Sequence, residues 1–115
     1  MLHSVIAVLT YISHRLVGAS RSTKLLVEIS RHGARSSSKI YPFTVDPDEN
    51  FTEPSWLTVI GASEHHDMGA FIRQRFIEQN SFLSANYDPS EIYVQATEEQ
   101  RTYDSAVSQL QGIYG

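Results

Sequence analysis

Three prolines, Pro42, Pro47 and Pro54, fall within "KIYPFTVDPDENFTEPSW", Lys39 to Trp56. No helix runs through them, because each proline removes a backbone donor and its ring clashes with the preceding turn. The stretch from Gly33 to about Pro54, dense in Ser, Pro and Asp, is therefore read as a loop. Loops this long in a compact domain are usually functional or disordered.

Before the loop, "KLLVEIS", Lys24 to Ser30, alternates as a strand does. Leu25, Val27 and Ile29 fall on one face, and Leu26, Glu28 and Ser30 on the other. Glu28 fits poorly if both faces are buried. After the loop, Thr58 has the character of an N-cap. Met68, Ile72 and Phe76 then recur at helical spacing with His65 and Gly69 between them, which predicts a helix from about Thr58 to Gln79. "NSFLSANYDPS" connects to a second predicted strand, "EIYVQ", Glu91 to Gln95. Thr97 and Gln100 read as a capping box, and Glu98 and Glu99 suit the positive end of a helix dipole. Tyr103, Ala106, Val107, Leu110 and Tyr114 make an apolar stripe, so a second helix is predicted from about Glu98 to Gln111.

Strand, loop, helix, strand, helix is the order of a βαβα unit. It predicts an α/β fold with two parallel strands and a right-handed crossover. At 115 residues this is one domain or part of one. In open α/β sheets, ligands bind beyond the carboxyl ends of the strands. "RHGAR", Arg31 to Arg35, follows the first predicted strand, and Thr97 to Arg101 follows the second. Topology thus predicts that Arg101 meets Arg31, His32 and Arg35.

Guanidinium groups suit planar, multidentate contact with phosphate or carboxylate. Three of them around one point repel each other until an anion arrives. The same charges stabilise the equatorial oxygens of a phosphoryl group in transfer. A neutral imidazole between them is a competent nucleophile toward phosphorus, provided its other nitrogen is held by a carbonyl or carboxylate. Gly33 lets the backbone approach a ligand closely. The competing reading is a solvated loop with ordinary surface arginines. For Arg101 the solvated reading is the stronger, because it lies off the apolar stripe of its helix.

A net charge of −4 and a pI of about 5.6 argue against nucleic-acid binding. Without cysteine there is no disulfide, thiolate nucleophile or Cys–zinc site. "EHHD", Glu64 to Asp67, resembles a ligand cluster, but adjacent histidines on a helix point about 100° apart, so no metal site is expected. In "MLHSVIAVLTYISHRLVGAS" the run Val5 to Ile12 is too short to span a membrane. With Val17-Gly18-Ala19 behind it, residues 1–19 fit either a secretory leader or a buried N-terminal strand or helix. Asn50-Phe51-Thr52 is a glycosylation sequon, relevant only in a secreted chain.

"RHGAR" resembles the RHGxR signature of the histidine acid phosphatases, branch two of the histidine phosphatase superfamily. "LTVIGASEHHDMGAFIRQRF", Leu57 to Phe76, is similar to that family's LTxxGxxQHxxLGxxxRxRY helix. "EIYVQATEEQRTYDSAVSQLQGIY", Glu91 to Tyr114, resembles its VYIRSTDxxRTxxSAxxxLxGLY segment. The likeness covers Leu25 to Gly115 and implies that residues 20–115 are the N-terminal portion of such a domain, an incomplete one. It implies a phosphoglycerate-mutase-like α/β fold with a mostly parallel sheet and a helical cap. It further implies His32 as the phosphorylated nucleophile and Arg31, Arg35 and Arg101 as phosphate ligands. Small phosphomonoesters would be the substrates, without metal or organic cofactor, in a secreted or lysosomal setting. Ser37 stands where the family pattern has proline, and Gln95 where it has the arginine of RST. The family's C-terminal His-Asp motif, which carries the proton donor, has no counterpart in these residues. The chain alone is therefore expected to fold weakly and turn over little. A non-catalytic phosphate-binding remnant is the alternative. A mutase or a phosphatase of the other branch fits the segments after RHG less well.

Overall fold

The computed structural model describes residues 22–115; the leader read at residues 1–19 lies outside them. Two helices and an ordered loop carry the architecture. Helix α1, Val59–Ile72, starts where Thr58 stops the extended chain (φ −85°, ψ 163°) and its side-chain oxygen accepts from Gly61 N at 3.2 Å. The same hydroxyl donates to the Ala34 carbonyl at 2.9 Å, and Thr58 N donates to that carbonyl at 2.9 Å. One residue thus caps α1 and ties it to the RHGAR segment. Thr58→Ala is expected to lower stability by about 1–2 kcal/mol, near the upper end for a lost cap, while Thr58→Ser stays close to wild type. A urea midpoint for each variant checks this.

Past Ile72 the helix widens into a π-helical segment, Arg73–Glu78. Its Phe76 carbonyl accepts from both Phe82 N (2.7 Å) and Leu83 N (3.0 Å), which turns the chain back. Helix α2 spans Gln100–Tyr114. Arg73 Nη1 donates to the Ile113 carbonyl at 2.6 Å, so the end of one helix satisfies an orphan carbonyl of the other. Ile72, Ile77 and Ile113 form the buried apolar centre, with Leu26, Phe76, Leu83, Leu110 and Tyr114 around it. Tyr114 meets Tyr87 edge-on at 5.5 Å. Burial pushes the Tyr114 phenol above its ordinary value, with the Glu91 carboxylate adding to the effect.

The helices cross at glycines. A Cβ on Gly112 would overlap the His66 carbonyl, and one on Gly69 would overlap the Gln109 carbonyl. The buried face of α2 is accordingly Ser105, Gln109, Gly112 and Ile113, while Tyr103, assigned to the apolar stripe, is 62% exposed. The expected capping box at Thr97 and Gln100 does not form. The N-cap is Glu99 without a side-chain bond, because Gln100 Oε1 accepts from Leu57 N at 2.8 Å and its amide nitrogen donates to Asp104.

The predicted α/β unit is overturned: among the described residues there is no strand and no parallel sheet, only an isolated antiparallel bridge, Arg35 to Leu57. Lys24 to Ser30 and Glu91 to Gln95 make no ladder. The physical reason is that α1 and α2 bury their faces against each other, leaving no layer to cover a sheet. A parallel pair needs cover on both faces. Ile29 is instead 94% exposed and Tyr93 85% exposed. Period-two alternation nonetheless persists in the first segment. Leu26 packs on the core and Glu28 meets α2, while Leu25, Val27 and Ile29 face outward.

The proline-rich loop is closed at its base. Ser36 N donates to the Trp56 carbonyl at 2.8 Å, and Ser55 N to the Ser37 carbonyl at 3.0 Å. The buried Ser36 hydroxyl donates to the Glu53 carbonyl and accepts from Trp56 N at 3.1 Å. This clasp holds Arg31 to Arg35 beside the start of α1.

Candidate active site

Arg31, His32, Gly33, Ala34 and Arg35 form one wall of an open pocket of about 440 Å³; Glu28 and Ser30 extend it, and Glu64, His65 and Met68 of α1 face them. His32 is half-buried. Its Nδ1 lies 2.8 Å from the Gly33 carbonyl. A carbonyl only accepts, so in the neutral ring Nδ1 carries the proton and Nε2 keeps its lone pair. Arg35 Nη1 donates to the Ser36 carbonyl at 2.8 Å, which leaves the other donors of its guanidinium fork available.

The backbone of this wall is anchored from both helices. Gly33 N donates to Ser105 Oγ at 3.0 Å, and that hydroxyl donates to the Arg101 carbonyl at 2.6 Å. A Cβ at Gly33 would stand 2.5 Å from the Gly61 carbonyl, so only glycine allows the loop to sit this close to α1. On the other flank, His65 Nε2 lies 3.2 Å from the Arg31 carbonyl.

Arg31, His32 and Arg35 thus share the pocket, and Arg101 does not line it. Its backbone is joined to Gly33 through Ser105, while its Nη1 pairs with Glu99 at 2.9 Å. Arg101 Nε is buried and makes no hydrogen bond among the described residues. The link from Arg101 to the RHGAR segment thus runs through Ser105 of α2, and paired strand ends play no part.

A family model described as "Histidine phosphatase superfamily (branch 2)" matches residues 24–115. The chain belongs to this superfamily. Among its curated relatives, rat lysosomal acid phosphatase is 36% identical over 101 residues, covering 83% of this chain and 22% of that protein. Mouse prostatic acid phosphatase is 31% identical over 103 residues, covering 84% and 25%. A putative acid phosphatase of Caenorhabditis elegans is 36% identical over 91 residues, covering 75% and 20%. The chain spans about a fifth to a quarter of the length of these relatives.

The branch 2 match takes in every residue of the pocket wall and both helices. Within this histidine phosphatase chain the two helical histidines diverge. His65 is buried and points to the loop, whereas His66 is exposed, its Nδ1 3.8 Å from Asp67. Among the described residues, no three His, Asp or Glu side chains gather in a way that would hold a metal ion, and no helix is long and apolar enough to cross a membrane. Sequence reasoning missed Ser105 and Gln109, which hold the site from α2. Their i, i+4 spacing with Gly112 three residues on is the signal, a small and polar face beside the apolar stripe.

Proposed function

We propose that this histidine phosphatase chain binds the phosphate of small phosphomonoesters with Arg31, Arg35 and Arg101 and accepts the phosphoryl group on His32. The observation that supports this most is the His32 tautomer. With Nδ1 bonded to the Gly33 carbonyl at 2.8 Å, Nε2 keeps its lone pair, and His32 lines the same pocket as Arg31 and Arg35. Nε2 attacks phosphorus, the P–O bond to the leaving alcohol breaks, and that oxygen takes a proton from an acid. Water then attacks the phosphohistidine, releasing phosphate and restoring the imidazole. The guanidiniums carry the charge on the equatorial oxygens throughout. Arg101 joins by exchanging Glu99 for the dianion; a part-exposed ion pair is weak enough to yield to phosphate.

No metal or organic cofactor enters this scheme, and nucleic acid is not a substrate. The named relatives are lysosomal and prostatic acid phosphatases, which supports an acidic, secreted or lysosomal setting. A second reading, phosphate binding without turnover, is favoured by one feature. The carboxylates lining the pocket are Glu28 and Glu64, and Glu28 already accepts from Gln109. Titration with inorganic phosphate at pH 5 tests the shared part of both readings. Arg35→Gln should weaken phosphate by about tenfold to a hundredfold, the weight of a charge-assisted bond. Equal affinity would remove Arg35 from the site. Release of the alcohol from an alkyl phosphate, whose leaving oxygen needs a proton, then separates the enzyme from the binder.

A further inference from the structure

We propose that His65 is a positioning residue for the reactive loop, acting on the Arg31 carbonyl through a hydrogen-bonded relay anchored at Glu28. The reading of the pocket as a phosphate site underlies only one of its tests.

His65 is a polar side chain buried on α1, and each ring nitrogen faces an oxygen: Nε2 the Arg31 carbonyl at 3.2 Å, Nδ1 the Gln109 Oε1 at 3.3 Å. The amide of Gln109 is oriented from its far end, where Nε2 donates to Glu28 Oε2 at 2.5 Å. An ionised carboxylate only accepts, so the amide nitrogen must face Glu28 and the amide oxygen must face His65. The Arg31 carbonyl has no proton to give. Both ring contacts are therefore hydrogen bonds only when both nitrogens of His65 carry protons, with the Glu28 carboxylate balancing the charge across Gln109. The charged and titratable groups that line the same pocket as His65 are Glu28, Arg31, His32 and Arg35 of the leading segment and Glu64 of its own helix. From α2, Gln109 faces its Nδ1.

The Arg31 carbonyl belongs to the peptide that joins Arg31 to His32. Fixing that plane sets the direction in which both side chains leave the backbone. Ser105 fixes the Gly33 N–H two residues on. The nucleophile is thus held between two anchors, one from each helix. Such support is what keeps a site within reach of productive geometry. It also gives Glu28 a reason to interrupt an apolar alternation.

The test uses the whole 115-residue chain with histidine labelled at its ring nitrogens. Nuclear magnetic resonance should show the two ring nitrogens of His65 coupled across hydrogen bonds to the Arg31 carbonyl and the Gln109 amide oxygen; a bare Nδ1 would overturn the relay. His65→Leu should keep the helix content seen by circular dichroism, shift the amides of Arg31 to Gly33, and weaken inorganic phosphate by about tenfold. His65→Gln, which keeps one N–H donor for the Arg31 carbonyl, should recover most of that loss. Unchanged amides in His65→Leu, or loss of helix content in step with affinity in both variants, would make His65 an ordinary packing residue. If the wild-type chain itself ignores phosphate, the phosphate reading falls. The ring protons and the Arg31 to Gly33 amides then decide the role of His65 on their own.

Discussion

Gly112→Ala is expected to destabilise the helix pair, against its effect on helix propensity. In an open helix interior, alanine is better than glycine by about 1 kcal/mol. Here the added Cβ falls on the His66 carbonyl and close to Ala70 N of the facing helix. Both are backbone, so no side chain can rotate away. The helices must separate, and that strips cover from Ile72 and Ile113. We expect a net loss of about 1–3 kcal/mol for alanine and more for Gly112→Val, in line with overpacked cores. Domain stability is marginal in general, so either loss is a large share of the total. Thermal melts followed by circular dichroism check it, with Gln111→Ala, exposed on the same helix, as the control that should be neutral or slightly stabilising. A Gly112→Ala chain that melts at or above wild type would show that the crossing is not as close as described.

This crossing also explains which parts of the fold were legible in the sequence. The start of α1 was, because a cap at Thr58 and a helical repeat behind it are local signals. So was the alternation of Lys24 to Ser30, with Leu26 and Glu28 on the face opposite Leu25, Val27 and Ile29. Its pairing was not, since a ladder depends on a partner and on layers above and below it. The face of α2 was misread for a different reason. Counting apolar residues finds Tyr103, Ala106 and Val107, but a close approach at glycine buries what is small, Ser105 and Gly112, and what is bonded, Gln109. The capping box failed because Gln100 serves Leu57 in another segment. In the site, the crowding of Arg31, His32 and Arg35 was visible as composition. The supports at Gln109 and Ser105 were not, since each acts across long sequence separations.

His32→Ala is expected to abolish phosphoryl transfer to the protein, by about 10³-fold or more, as when other covalent nucleophiles are removed. The fold should not change, since among the described residues the ring's hydrogen bond is only to the neighbouring Gly33 carbonyl. The choice of leaving group makes the result sharper. p-Nitrophenolate departs without a proton, so attack by Nε2 and charge neutralisation by the arginines are enough. An alkoxide needs an acid, a contribution of about 10² to 10⁴ in rate. The wild-type chain should therefore form phosphohistidine from p-nitrophenyl phosphate and much less from an alkyl phosphate, and His32→Ala should form it from neither. Labelled phosphate that is released by acid and retained in base identifies the adduct as phosphohistidine rather than phosphoserine, which matters beside Ser36, Ser37 and Ser38. Equal labelling of wild type and His32→Ala would move the nucleophile elsewhere. Equal rates from both substrates would mean that an acid already lies in the pocket, and Glu64, on the wall facing the RHGAR segment, would then be the group to substitute next.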